Sequence, residues 1–478
     1  MRLRKNRSLR GRFNSLPWLK RRVRKFTSGI NGRRAYRQRS REIEGLLEKY
    51  GLRQSETGGP KHIIFVVVDC FRRDHLSLYN YDRQTTPMLD SLSENAAVFE
   101  NAITASPWTY PSVGSVLTGF YPHNHGGTHQ RDPSNFDLEY PSKILREIMA
   151  LPEMLSTFGS QTYFTTPIAP ATLVANGWFE HSYTLLSKAT RHIEDILKWL
   201  GSRKDQNTFV YFQPSDLHVP IEVPKEYRKV FGEIPDIPDI EGWQFRNGTH
   251  LGEPAFERYR ENRIKLYDCA VRFVDAQIAR FLKGLEELNL RDSSLIVITA
   301  DHGEEFWDHA KLEKKHFYDP RGIWGVGHGH NLFQEIIGVP LICLGPGMTP
   351  GRYSHNVSLV DLVPTVLSVC GIEKKLELDG RSLFDNSEER FVLSEGIAYG
   401  NEKKAILRKN WKLIHSKSDK INLLFDLSRD PKEQHDLATR NTKELRRLQA
   451  VLPKTNEKGG ALQVDKSVEA QLRALGYI

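Results

Sequence analysis

The first strong pattern along the chain is IIFVVV at 63–68, six consecutive apolar and mostly β-branched residues. A short apolar run without polar alternation predicts a strand covered on both faces. Comparable runs recur as TYFTT (162–166), TFVYF (208–212), LIVIT (295–299) and PLICL (340–344). A different rhythm lies between them. Ile264, Tyr267, Val271, Val274, Ile278, Phe281 and Leu285 recur at three- and four-residue steps, which places them on one face of a long helix. ATRHIEDILKWLG (189–201) predicts another helix. Strands alternating with helices predict an α/β fold, with a mostly parallel central sheet sandwiched by helices.

After residue 375 the pattern changes. AILRKNWKLIH (405–415) and NLLFDLSRDP (422–431) predict two strands of a small antiparallel unit, with a helix near 442–451. The expected division is a tail over 1–45, a main domain over 60–375, a small α+β subdomain over 376–455 and an amphipathic segment over 456–478.

Charge alters the picture at one end. Residues 1–41 hold 16 of the 68 Lys and Arg and no Asp or Glu, so the net charge of +9 describes a mildly acidic body carrying a basic tail. In that tail Trp18, Leu19, Val23 and Phe26 interleave with Lys20, Arg21, Arg22, Arg24 and Lys25. The mixture suits a flexible arm that meets an anionic membrane surface or a nucleic acid. The N-terminus shows no apolar signal region, and the chain has no run of 18 uninterrupted apolar residues. The four cysteines form no short-spaced pair. A reduced, cytoplasmic location, peripheral to the inner membrane surface if the tail docks there, is the expectation.

In sheets of this kind, sites gather beyond the C-terminal strand ends. The run at 63–68 ends in Asp69, the run at 208–212 is followed by Asp216 and His218, and the run at 295–299 leads to Asp301, His302 and Glu304. Asp69, Asp301 and His302 are ligand types for one divalent cation: Ca²⁺, Mn²⁺, Mg²⁺ or Zn²⁺. In SPWTYPSVGSVLTG (106–119), Thr109 falls at a predicted helix cap, Pro111 in the first turn and Gly119 just past the end. A hydroxyl there would face an anionic substrate, and a nearby cation would activate it as a nucleophile.

VVVDCFRRDHLSLYNYDRQTTPMLDSL, the stretch around Thr109, SDLHVP, ITADHGEEFWDH and GHGHNLFQEIIGVPLICLGPG together resemble the sulfatase family of the alkaline phosphatase superfamily. NWKLIH and LLFDLSRDPKEQHDLA resemble its C-terminal subdomain. Usual members carry Cys or Ser in a C/S-x-P-x-R motif and convert it to formylglycine. Here the motif reads Thr109-Tyr110-Pro111-Ser112-Val113, with no arginine, so no formylglycine is expected. The resemblance implies instead a Thr109 nucleophile, as in phosphodiesterases and phosphoglycerol transferases of the superfamily. It implies Asp69, Thr109, Asp301 and His302 as metal ligands, and His218 as the catalytic histidine that contacts the transferred anionic group or protonates the leaving oxygen. His328 stands where many sulfatases bind substrate through lysine, with His330 beside it. Arg72 would replace the missing arginine as a clamp on the anionic ester, or else form a salt bridge. Cys70 stands where relatives place a second Asp. One metal is expected rather than two; a second would use Asp216, His218 and His330. Phosphoester hydrolysis is the leading expectation. Sulfate ester hydrolysis, membrane-associated transfer and an idle binding module remain as alternatives.

Overall fold

Seven residues without a charge, His62–Val68, form the strand β1, buried along its whole length. Each fully buried Val, Ile or Phe in such a strand contributes about 1.5–3 kcal/mol. Around it lie β2 (Ala97–Ile103), β3 (Gln161–Thr166), β4 (His181–Thr184), β5 (Thr208–Phe212), β6 (Ser294–Ala300), β7 (Gly338–Leu344) and β8 (Gly351–Ser358). They join as one sheet in the order β8-β2-β7-β6-β1-β5-β3-β4. The computed structural model describes residues 29–453 apart from 56–57, 129–141, 186, 238–239, 241–249 and 387–389. The basic cluster at Trp18–Phe26 and the segment 456–478 lie outside the described residues.

The sheet is mixed. β7 runs antiparallel to both its neighbours, while every other pairing is parallel. Two reversals cancel, so β1, β2, β5 and β6 all end at the same edge. The segments after them therefore meet there, and β7 starts from that edge.

Helices cover the sheet. The long α4 (Pro254–Glu287) buries Tyr267, Val271, Val274, Ile278, Phe281 and Leu285, the face its periodicity marks. Ahead of it come α1 (Gly29–Tyr50), α2 (Thr109–Thr118) and α3 (Ala189–Gly201). The flexible arm expected over 1–45 is, from Gly29 onward, helix α1. Ile43 and Tyr50 are buried in the main core, and Leu46 and Leu47 pack against it. Arg39 pairs with the buried Glu153 at 2.7 Å. Apolar side chains at helical spacing and a buried charge partner fasten a stretch that its basic composition marked as solvated. Among the described residues no helix is long and apolar enough to cross a membrane.

The C-terminal unit is a four-stranded antiparallel sheet of β9 (Val392–Ser394), β10 (Lys404–Arg408), β11 (Trp411–Ser416) and β12 (Ile421–Asp426), followed by α5 (Thr442–Gln449). The stretch 405–415 is thus a hairpin rather than one strand. Arg408 pairs with Trp411, and Lys409 takes a φ of 50° in the two-residue turn. The four cysteines are all free and buried.

Candidate active site

Four side chains converge at the shared strand edge. Asp69 follows β1, Asp301 and His302 follow β6, and Thr109 opens α2. All four are fully buried. Thr109 is the first helical residue, not the cap; Trp108 holds the cap position with an extended φ of −154° and ψ of 163°. Gly119 closes the helix at φ 75°, its N–H donating to Ser115 O. The neutral His125 ring lies beneath α2, 3.0 Å from Ser115 Oγ, burial holding its pKa down to about 3.

His302 organises the group. Its Nδ1 donates to Gly303 O at 2.8 Å, which leaves the lone pair of Nε2 facing inward. From Nε2 the distances are 3.2 Å to Thr109 Oγ1, 3.3 Å to Asp69 Oδ1 and 3.5 Å to Asp301 Oδ2. Asp301 is held from several sides. Its Oδ1 accepts from the His302 N–H, and its backbone carbonyl accepts from Thr104 Oγ1 and Ser112 Oγ at 2.6 and 2.7 Å. Gln213, just past β5, donates Nε2 to Asp301 Oδ2 at 2.8 Å. Tyr211 donates its hydroxyl to Gln213 Oε1 and so fixes the amide's orientation.

The donor set fits a divalent cation. Asp69 Oδ2 is buried and has no hydrogen-bond partner. Burial, with Asp301 beside it, pushes the Asp69 carboxyl well above the usual carboxylate range, and burial pushes Asp301 upward too. Two dehydrated carboxylates on one imidazole lone pair and one hydroxyl are the ligand types that bind Zn²⁺, Mn²⁺ or Ca²⁺. A cation there would relieve the repulsion that otherwise favours protonation.

The other residues singled out from the sequence divide. His328 lies at the site, its ring centroid 4.3 Å from that of His302 and its Nδ1 3.2 Å from Glu304 Oε1. Burial and the neighbouring His302 lower the His328 pKa to about 3, so it donates to Glu304 as a neutral ring. His218 stands beside it at 5.4 Å between centroids, its Nδ1 donating to Val219 O at 2.7 Å. A cavity of about 330 Å³ opens at His218, lined also by Ile168, Lys188, Ser215, Asp216 and Glu222.

Two expectations change, and the alternative trio is not assembled. Arg72 does not offer its fork to an anion: Nε and Nη2 donate to Asp74 at 3.0 and 2.7 Å, and Nη1 donates to Asp308 at 2.9 Å. The guanidinium is only 3% exposed and stacks over Phe306. His330 belongs to a separate buried group, its Nε2 lying 3.2 Å from both Glu305 Oε2 and Glu313 Oε1. Gly327 and Gly329, at φ 91° and 81°, turn the chain so that His328 and His330 part company. The trio for a second ion is not assembled, because Asp216 Oδ2 instead accepts from the Ala189 N–H that opens α3. The sequence placed Glu304 on this edge without a role and gave Gln213 no mention. Both lie within four residues of a strand's end, and that position was the available signal.

A mixed sheet under helices, with carboxylates, imidazole and a helix-start hydroxyl at one edge, defines a chain of the alkaline phosphatase type. The chain belongs to the sulfatase family, whose model matches residues 61–372. It is 22% identical to the arylsulfatase of Clostridium perfringens over 467 residues, covering 79% of this chain and 90% of that one. Among solved structures it resembles a 2-O GAG sulfatase, with a TM-score of 0.62, 18% identity and coverage of 82% of this chain and 91% of the other. It also resembles the phosphonate monoester hydrolase of Agrobacterium radiobacter, with a TM-score of 0.60, 16% identity and coverage of 85% and 100%.

Proposed function

We propose that this sulfatase-family hydrolase cleaves phosphoric esters, with Thr109 as the nucleophile. The observation that carries the reading is the Thr109 hydroxyl, 3.2 Å from His302 Nε2 at the start of a buried helix. Asp69, Asp301, His302 and Thr109 would hold one divalent cation. Such a cation would supply positive charge to the developing anion and make the hydroxyl a stronger nucleophile.

The chain's own residues do the rest. The first turn of α2 presents Thr109 Oγ1 in a site closed to bulk water, where the helix start favours an anionic ester. Oγ1, its proton given up to solvent before the ester enters, forms the bond to phosphorus as the bond to the alcohol breaks. His218, protonated on both ring nitrogens with its Nδ1–H held by Val219 O, presents Nε2–H as the proton donor to the departing oxygen. The cavity beside His218 gives the alcohol room. Water then cleaves the threonine ester.

A second reading, sulfate ester hydrolysis, is favoured by the names of the relatives, most of which are sulfatases. Parallel assays on an aryl phosphodiester and an aryl sulfate, with mass spectrometry of acid-quenched enzyme, separate the two. Turnover of the phosphodiester with a phosphoryl adduct on Thr109 supports the first reading. Turnover of the sulfate ester alone overturns it.

A further inference from the structure

Cys70 follows Asp69 at this edge and takes no part in the mechanism above. We infer that its sulfur joins Asp69, Asp301, His302 and Thr109 around the cation, losing its proton as the cation binds, and that the site therefore takes a thiophilic divalent cation such as Zn²⁺ in preference to Ca²⁺ or Mg²⁺. The inference rests on the reading that these residues hold a cation.

The backbone supplies the first argument. Consecutive residues of an extended strand point to opposite faces. Cys70 instead takes a φ of 59°, a left-handed conformation uncommon for a residue with a side chain. Its carbonyl accepts from the Tyr267 hydroxyl at 2.6 Å, and that same hydroxyl accepts from the Arg72 N–H at 2.9 Å. The Phe71 N–H donates to His302 O at 3.0 Å. These bonds hold the turn against its conformational cost and tie it to the segment that carries His302. The turn brings Cys70 Sγ to 3.4 Å from Asp69 Oδ1, to which the thiol donates, and to 3.7 Å from His328 Nδ1; burial and Asp69 keep that thiol protonated until a cation takes the proton's place.

The second argument is the spacing. Asp69, Cys70 and His302 each offer a ligand atom, and these atoms all lie within 4.8 Å of one another. Around a tetrahedral zinc, with Zn–S about 2.3 Å and Zn–N or Zn–O about 2.1 Å, neighbouring ligand atoms sit about 3.4–3.6 Å apart. The distances here are 3.4 Å from sulfur to Asp69 Oδ1 and 3.3 Å from that oxygen to His302 Nε2. The buried, unpartnered Asp69 Oδ2 is a further, independent mark of a missing positive ligand. Thiolate selects Zn²⁺ or Co²⁺ over hard cations, whereas an all-oxygen site would not. On binding, the Sγ–H bond gives way to a sulfur–cation bond and the proton passes to the buffer.

Cobalt substitution reads the thiolate directly. The full chain, stripped with chelator and titrated with Co²⁺, shows visible d–d bands when the cation enters a nitrogen–oxygen cradle. A near-ultraviolet charge-transfer band appears only when sulfur is bound. Wild type is expected to show both, and Cys70→Ser to keep the visible bands and lose the near-ultraviolet one. In competition, Cys70→Ser is expected to narrow the preference for Zn²⁺ over Ca²⁺ at least about tenfold. Visible bands without the charge-transfer band in wild type overturn the thiolate and leave the cation reading standing. No cobalt absorption at all overturns both. The wild-type spectrum decides the matter even if Cys70→Ser does not fold.

Discussion

The Thr109 hydroxyl faces the lone pair of His302 across 3.2 Å, although the two residues stand 193 positions apart in sequence. Helix α2 and the turn after β6 each deliver one of them to the same strand edge. Thr109→Ala is therefore expected to lower kcat/KM on an aryl phosphodiester by at least about 10³-fold, as for other covalent nucleophiles. Circular dichroism of the variant should match wild type. Turnover at the normal rate would sink the nucleophile assignment.

Burial and the charge of Asp301 push the Asp69 carboxyl upward, a cost that a bound cation would relieve. Adding the preferred divalent cation at about 100 times its Kd should raise unfolding stability by about 2.7 kcal/mol. Chelator should reverse the gain. Asp301→Asn should abolish it, read as a melting midpoint that no longer moves with cation concentration.

His218 as the proton donor predicts a leaving-group dependence. His218→Gln should slow esters of alkyl alcohols by about 10²–10⁴-fold and scarcely affect 4-nitrophenyl esters, which leave without a proton. Rates for a graded series of leaving groups check this. An equal loss across the series contradicts the role.

Arg72 is bound in an ion-pair group with Asp74 and Asp308. Arg72→Met should cost stability, about 1–3 kcal/mol in urea unfolding. KM for an anionic substrate should stay near the wild-type value. A raised KM at unchanged stability would restore the clamp.

Glu395 ties the main domain to the small sheet. Burial alone would raise its pKa, but the hydrogen bond from His123 and the charges of His123 and Lys404 hold it down to about 2. An unfolded glutamate titrates near 4.5. The pair contributes stability that is complete above that value and is lost as pH falls through about 2. Glu395→Gln should flatten the fall in unfolding stability between about pH 4.5 and 2, measured by urea titration at each pH.

The buried runs made β1, β3, β5, β6 and β7 legible, because a strand covered on both faces must be apolar along its length. β2 and β8 carry polar residues such as Glu100, Asn101, His355 and Asn356, so their strand character was hidden. The same uniformity that revealed β7 concealed its direction. A run apolar on both faces looks alike read parallel or antiparallel.

The sequence by itself determined the alternation of strand and helix, the strand ends that carry Asp69 and Asp301, and a Thr109-Tyr110-Pro111 motif in place of C/S-x-P. Those features are written in local order, where apolar period and adjacency suffice. Tertiary structure alone decided that Arg72 meets Asp308, that Gln213 steadies Asp301, and that His330 leaves His328 for Glu305 and Glu313. Each depends on a partner or a glycine turn that brings distant segments within about 3 Å, and hydrogen bonds and ion pairs act only at that range.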